Sequence, residues 1–464
     1  MRLPQVGVGR IAAAFLAIAA FFGIAAMFRP EPVSDFLYYW MVADAPALYH
    51  KGGVVGELFG PIKGAAIAPY WGAALLNACF AVAAIFAVVP ATKAAGSRAN
   101  MASVLGALVV VLAILAAAPA AALVATDLMA FNTFVVGMSL LVRAAPMAQR
   151  WPVAVAAMLI LAVSASLRPI YAPVMLISAV VLASMRYALV GAFAGRSRWK
   201  DWLYAAGLGV MLVIGGLLVA NLVERGLLGQ SRMSQYAPGV VRAVVAIGHD
   251  IGDGRETCAS WSETRARFGL ERRAEPLIPF ILERQREVGW RNLPALYLCK
   301  VSRLLQFRDW FAAWLKGSRL YSQDQILADS MGVDVAVVNE AARRSHVVRT
   351  DAAQQAYDLR AGRLAQLSAW IGGVLQVAML SFLMTAAVAL GRARSPRLGW
   401  CALGASLVPA LALIGLHGVF FEVQARYAFP IWLLPPVFMM LILRLADEGS
   451  DAALALDPAA ADVV

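Results

Sequence analysis

Charge is missing from this chain over long distances. Residues 11–28, 64–92, 101–126, 128–142, 151–167, 169–185, 202–223, 364–391, 398–421 and 427–443 hold no Asp, Glu, Lys or Arg. A helix needs about 20 mostly apolar residues to cross a bilayer. The pattern predicts an all-α fold, a polytopic transmembrane helical bundle of about ten spans with an extracytoplasmic helical segment. Residues 128–142, 151–167 and 169–185 are short for lone spans and need flanking interface residues or a locally thin bilayer. Composition agrees: 61% of residues are hydrophobic and 15% charged, against about 25% charged in soluble domains. Residues 11–28 are followed by Arg29-Pro30-Glu31-Pro32 and no small-residue cleavage site, so they read as a retained span.

The net charge of +12 is not a nucleic-acid signal, because the basic residues sit in short connections between apolar runs. Arg2 and Arg10 precede the first run, and Lys93 and Arg98 join the second to the third. Arg143 and Arg150, then Arg186, Arg196, Arg198 and Lys200, then Arg392, Arg394 and Arg397 follow at every second connection, with Asp201 the lone acid among them. Positive connections stay cytoplasmic, which predicts both termini inside an inner-membrane protein. Residues 29–63, Asp127, Arg168, 224–363 and Glu422–Arg426 then face outward. The expected organisation is an N-terminal transmembrane module over 1–223, an extracytoplasmic region over 224–363, and a C-terminal transmembrane module with a cytoplasmic tail over 364–464.

Residues 224–363 are the large polar region, yet they carry no Walker loop, zinc-protease helix or dinucleotide fingerprint. Gly248, Gly252 and Gly254 neither follow a strand nor open a convincing helix, so they do not read as a phosphate loop. No Cys-x-x-Cys occurs. Cys258 and Cys299 share the outward region, where oxidation is permitted, and a disulfide between them is expected. No metal ligand set and no cofactor is predicted.

Charge interrupts three apolar hairpins on the outward side: Asp127, Arg168, and Glu422 with Arg426. Asp35 follows the first span on the same side. Polar turns need no function, but opposite charges gathered at one interface fit a site. Ser34-Asp35-Phe36-Leu37-Tyr38-Tyr39, Ala125-Thr126-Asp127-Leu128, Leu167-Arg168-Pro169, Asn292–Lys300 and Phe421–Pro430 (F-E-V-Q-A-R-Y-A-F-P) stand in that order. Together they resemble the GT-C superfamily of membrane glycosyltransferases, in particular the protein O-mannosyltransferase and aminoarabinose lipid A transferase type.

That resemblance implies a polyprenyl-phosphate sugar donor, a lipid, glycan or protein acceptor, and inverting transfer at the membrane surface. It implies Asp35 as the base on the acceptor hydroxyl and Asp127 as the second acidic motif. Arg168, Lys300 and Arg426 would bind the lipid phosphate, with Glu422, Tyr427 and His417 in support. Each has a plainer reading. Asp35 fits a helix N-cap, and Asp127 and Arg168 fit a pair across adjacent turns. Glu422 and Arg426 share a face if helical, and Lys300 fits an amphipathic surface helix. His417 fits hydrogen-bonded packing, and Tyr38, Tyr39 and Trp40 fit interfacial anchoring. The rival functions are a lipid or sugar transporter, for which no internal repeat speaks, and a non-catalytic envelope assembly protein.

Overall fold

The computed structural model describes residues 8–30, 39–40, 54–89, 97–144, 151–194, 199–228, 233–251, 258–306, 328, 334–344, 351–424 and 427–456. Among them there is no strand. The helices are α1 Val8–Phe28, α2 Val54–Gly64, α3 Pro69–Val88, α4 Ser97–Ala121, α5 Asp127–Ala144, α6 Trp151–Leu167, α7 Tyr171–Ala194 and α8 Trp199–Leu228. They continue with α9 Met233–Gly248, α10 Glu263–Glu271, α11 Leu277–Val288, α12 Leu293–Leu305, α13 Val335–Arg344, α14 Asp351–Ala393, α15 Pro396–Val419 and α16 Ala428–Leu456.

Eight of these helices, among the described residues, are long and apolar enough to cross a membrane. Two of the expected spans fall short. Helix α6 has 17 residues, and α5 has 18 with Asp127 and Arg143 near its ends. Both pack inside the same bundle: α5 runs along α6 and α3, and α6 also packs on α8. The chain is therefore an all-α polytopic bundle. Its outward surface is apolar, with Phe15, Met27, Met211, Leu218 and Trp370 all exposed, as a bilayer requires and water does not.

Local sequence explains where the helices stop. The residue before a proline disfavours the helical region, and α6 ends at Leu167, just before Arg168-Pro169. Helix α5 opens on Asp127, an acid in the first turn, where the helix dipole favours negative charge. Ser395 caps α15, its Oγ accepting from Leu398 N at 3.3 Å, with Pro396 as first residue. Small residues let the helices approach, as in other membrane bundles. A Cβ on Gly216 would stand 2.8 Å from the Met158 carbonyl oxygen, so α8 and α6 touch backbone to backbone there.

The two ends of the bundle differ in chemistry. At one end, arginines bond to carbonyls left over where helices finish: Arg10 Nε donates to Val89 O at 2.7 Å, Arg444 Nη1 to Ala87 O at 2.6 Å, and Arg186 Nη1 to Val142 O at 3.4 Å. The other end carries Asp127, Arg168 and the connection between α15 and α16. The expected boundaries at 223/224 and 363/364 both fall inside continuous helices, α8 and α14. Helix α14 runs 43 residues because Asp351–Arg363 is polar but helix-compatible, so the loss of apolarity does not end the helix.

Helices α9–α12 form a layer over that second end. Arg272 and Arg284 stand over the rings of Phe268 and Phe280. Arg272 pairs with Glu275 and Glu283, and Arg284 with Glu283 and Glu287. The layer docks through α12, which packs on α15 and α16, and Trp432 Nε1 donates to Leu305 O at 3.2 Å.

Candidate functional site

Asp127 and Arg168 meet. The Arg168 guanidinium donates to the Asp127 carboxylate, and the side chains are 13% and 15% exposed. Burial by itself lowers the pKa of Arg168, but the negative potential of Asp127, aided by Tyr39 and Tyr427, outweighs it and holds the guanidinium well above its ordinary range. Arg168 therefore stays a permanent cation, with one carboxylate and two phenols in its field. Tyr39 and Trp40, read from sequence as interface anchors, are enclosed at 1% and 4% exposure. Lys63 Nζ donates to Trp40 O at 3.3 Å and lies 5.3 Å from the centre of the indole.

The connection between α15 and α16 carries the second half of the site. Residues 422–424 are not helical, so Glu422 is not presented on a helix face. It is buried at 4% exposure. Its Oε1 accepts from Tyr427 Oη at 2.9 Å and from Gln424 Nε2 at 2.7 Å. Its Oε2 is enclosed with no partner among the described residues. His417 closes the group: its Nδ1 donates to Glu422 O at 3.1 Å, and its ring stacks on Tyr427 with centroids 4.3 Å apart. Tyr427 thus touches Glu422 and His417 while lying in the field of Arg168.

The outer layer seats this loop by main-chain contacts. Val423 N donates to Ala259 O at 3.1 Å, and Ala259 N to Asp250 O at 2.7 Å. Ala259 has a positive φ of 51°, and it follows Cys258, which is disulfide-bonded to Cys299 on α12 with Cα atoms 6.5 Å apart. The bridge expected from sequence is present. Arg303 Nη1 donates to Cys258 O at 2.8 Å and holds the same turn.

Lys300 stands elsewhere than on a surface. It is completely enclosed, and its Nζ donates to Gly248 O at 2.9 Å. Burial pushes its ammonium down to about 7. The exposed amphipathic face that the sequence offers for Lys300 is not what α12 presents, since the side chain is enclosed. Periodicity marks Lys300 as polar, but only the packing of α12 against α9 and α15 decides what covers it. Gly248 and His249 were missed as well. Gly248 lies against the backbone of Phe421–Glu422, and the signal for it was a glycine where α9 ends.

Asp35 and Arg426, the expected base and the third phosphate cation, lie outside the described residues. The chain matches no family model, no curated protein and no solved structure. Among the described residues no group of three or more His, Cys, Asp or Glu is arranged to hold a metal ion. The chemistry in hand is thus a buried cation neutralised by one carboxylate, a phenol bonded to Glu422 in the field of that cation, and a carboxylate with one uncommitted oxygen. All lie where the membrane-crossing helices end.

Proposed function

We propose that this chain transfers a sugar, with inversion, from a polyprenyl-phosphate-linked donor to an acceptor at the extracytoplasmic face of the membrane. The observation that carries this reading is the convergence of Arg168, Asp127, Tyr427 and Glu422 at one end of the bundle. A donor held in the bilayer by its lipid presents its phosphate–sugar bond at that level.

In this reading Asp35 takes the proton of the acceptor hydroxyl as its oxygen attacks the anomeric carbon. The new carbon–oxygen bond forms as the bond to phosphate breaks, and the lipid phosphate leaves with the electron pair. Arg168 and Arg426 stabilise the charge that grows on it, and an arginine fork suits phosphate oxygens. Asp127 orients Arg168. Glu422 anchors the loop beside the donor, with His417 holding its backbone and Tyr427 its Oε1. Lys300 serves the site by holding Gly248 against the Glu422 loop. Two features support the extracytoplasmic side: basic connections at the opposite end of the bundle and a disulfide in the layer over the site.

The test is transfer by purified full-length chain in vesicles supplied with radiolabelled polyprenyl-phosphate hexoses and aminosugars. The expected result is release of label from the lipid to acceptor or water by wild type, and loss of that release in Asp35→Asn. Release no faster than in protein-free vesicles, for every donor, overturns the reading.

A further inference from the structure

A separate void lies between the membrane-crossing helices. Helices α1, α3, α4, α5 and α16 line a slender cleft of about 90 Å³, below the roughly 300–1,000 Å³ of sites that enclose a whole small molecule. Its walls run from Leu128 and Phe429, beside the charged end, past Met440 to Val88, where α3 finishes at the arginine-bonded end. Along α16 the distance from Phe429 to Met440 is about 16 Å at the helical rise, near half of a hydrocarbon core of about 30 Å.

Every wall side chain is apolar except Asn132. Asn132 is 7% exposed, and its Nδ2 has no hydrogen-bond partner among the described residues. The donors of Asn77 and Thr133 are bonded, while Thr126 Oγ1 and Asn77 Oδ1 are also buried without a partner among the described residues. Thr133 Oγ1 donates to Met129 O and Ala130 O at 2.8 and 3.0 Å, and Asn77 Nδ2 to Ala73 O and Ala121 O at 3.0 Å each. A buried amide without a partner is costly in hydrocarbon. A half-turn about its terminal torsion presents either its N–H₂ or its carbonyl to the cleft. The site thus asks for an apolar molecule that carries one hydrogen-bonding oxygen at the depth of Asn132.

That depth selects among lipids. Asn132 lies about 7.5 Å along α5 from Asp127, at the helical rise. This is just below the level where the α5, α6 and α15 connections meet the interface. A bilayer lipid has its ester carbonyls directly beneath its headgroup, and they only accept. A polyprenyl chain has no oxygen below its phosphate. We infer that the cleft binds an ester-linked acyl lipid of the surrounding leaflet, with an ester carbonyl accepting from Asn132 and the acyl chain running toward Val88 and Met440. This inference stands apart from the sugar-transfer reading, since it needs no donor and no catalytic residue.

Two probes that differ only in the carbonyl test it. Full-length protein is reconstituted in phosphatidylcholine vesicles doped with phosphatidylglycerol that carries a diazirine on one chain, either ester-linked or ether-linked. Irradiation and peptide mapping then read label on the cleft residues of α5 and α16. In wild type the ester probe should label the cleft about three- to tenfold more than the ether probe, the range one hydrogen bond supplies. In Asn132→Leu the two should label equally. Ala113→Phe should remove cleft labelling by both, while label on the outward face near Met211 and Leu218 stays. Equal labelling of wild type by ester and ether probes overturns the inference. So does preferential cleft labelling by a diazirine polyprenyl phosphate, or cleft label that persists in Ala113→Phe. Because the readout is crosslinking, it succeeds or fails independently of any sugar transfer.

Discussion

Lys300 donates to the carbonyl oxygen of Gly248 across 2.9 Å from a position that sees no solvent. The carbonyl it holds belongs to the residue that touches the Glu422 loop. A Cβ on Gly248 would stand 2.5 Å from the Phe421 carbonyl carbon, 2.6 Å from its oxygen and 3.0 Å from Glu422 N. These are backbone atoms and cannot swing aside, so Gly248→Ala must displace the loop or α9. The expected outcome is a folded bundle with an exposed loop, read as faster proteolysis near Phe421 and loss of transfer. Unchanged proteolysis and transfer would remove Gly248 from this role. Lys300→Met should do the same more mildly, since an unbonded buried carbonyl costs about 1–3 kcal/mol.

His249 gives the layer a pH dependence. Its Nδ1 donates to Val245 O at 2.8 Å, and the residue is 5% exposed. Burial, with Lys300 and Arg284 nearby, holds its pKa down to about 4 from an ordinary 6.5. Between those values the unfolded chain binds more protons than the folded one, so stability rises with pH across this window. It is fully present above pH 6.5 and is lost as pH falls toward 4, by about 3 kcal/mol at most. Hydrogen exchange of α9 should accelerate over that window in wild type, and that acceleration should disappear in His249→Phe. The same acid response in both proteins would rule His249 out as its source.

The disulfide is countable. Cys258 and Cys299 are bonded, and Cys79 and Cys401 are free and exposed. Denatured, unreduced protein should therefore titrate two thiols and reduced protein four. The bridge fixes the turn whose next residue, Ala259, accepts from Val423 N. Cys258→Ser with Cys299→Ser should destabilise the outer layer by about 2–4 kcal/mol and loosen the Glu422 loop, as measured by exchange at Val423. Four thiols without reductant would exclude the bridge.

Asp127 and Arg168 form a mostly buried pair. Removal of one partner leaves a charge in a poor environment, at a cost on the order of 3 kcal/mol. Arg168→Met and Asp127→Leu should each lower the thermal midpoint, and the double substitution should recover much of that loss without recovering transfer. If the double variant is as unstable as the sum of the single ones, the two side chains are not coupled.

Asp35 carries the acid–base prediction. Asn keeps its shape and its ability to cap a helix but accepts no proton at neutral pH. Asp35→Asn should leave membrane insertion intact and reduce transfer by roughly 10²-fold or more. Arg426→Ala should reduce it far more than Arg394→Ala, because Arg394 sits at the opposite end of the bundle, where α14 gives way to α15. Near-normal transfer by Asp35→Asn would move the base to Asp127 or end the enzymatic reading.

The sequence by itself determined the class of fold. A bilayer forces each span to be long and uncharged, and that requirement is written one residue at a time along the chain. The same logic made the ends of α5, α6 and α15 legible, since charge and proline are tolerated only where a span stops. The pairing of Cys258 with Cys299 was legible too, because they are the two cysteines that the charge pattern placed together outside the apolar runs. Tertiary structure alone decided what covers each polar group. Lys300 reads as exposed or enclosed only once α12 is docked. Gly248 looks like loop until a backbone lies 2.5 Å from where its Cβ would be. Asn132 is one polar residue on an apolar helix until five helices leave a cleft beside it. Burial of a side chain depends on partners hundreds of residues away, and local sequence has no information about the distance to them.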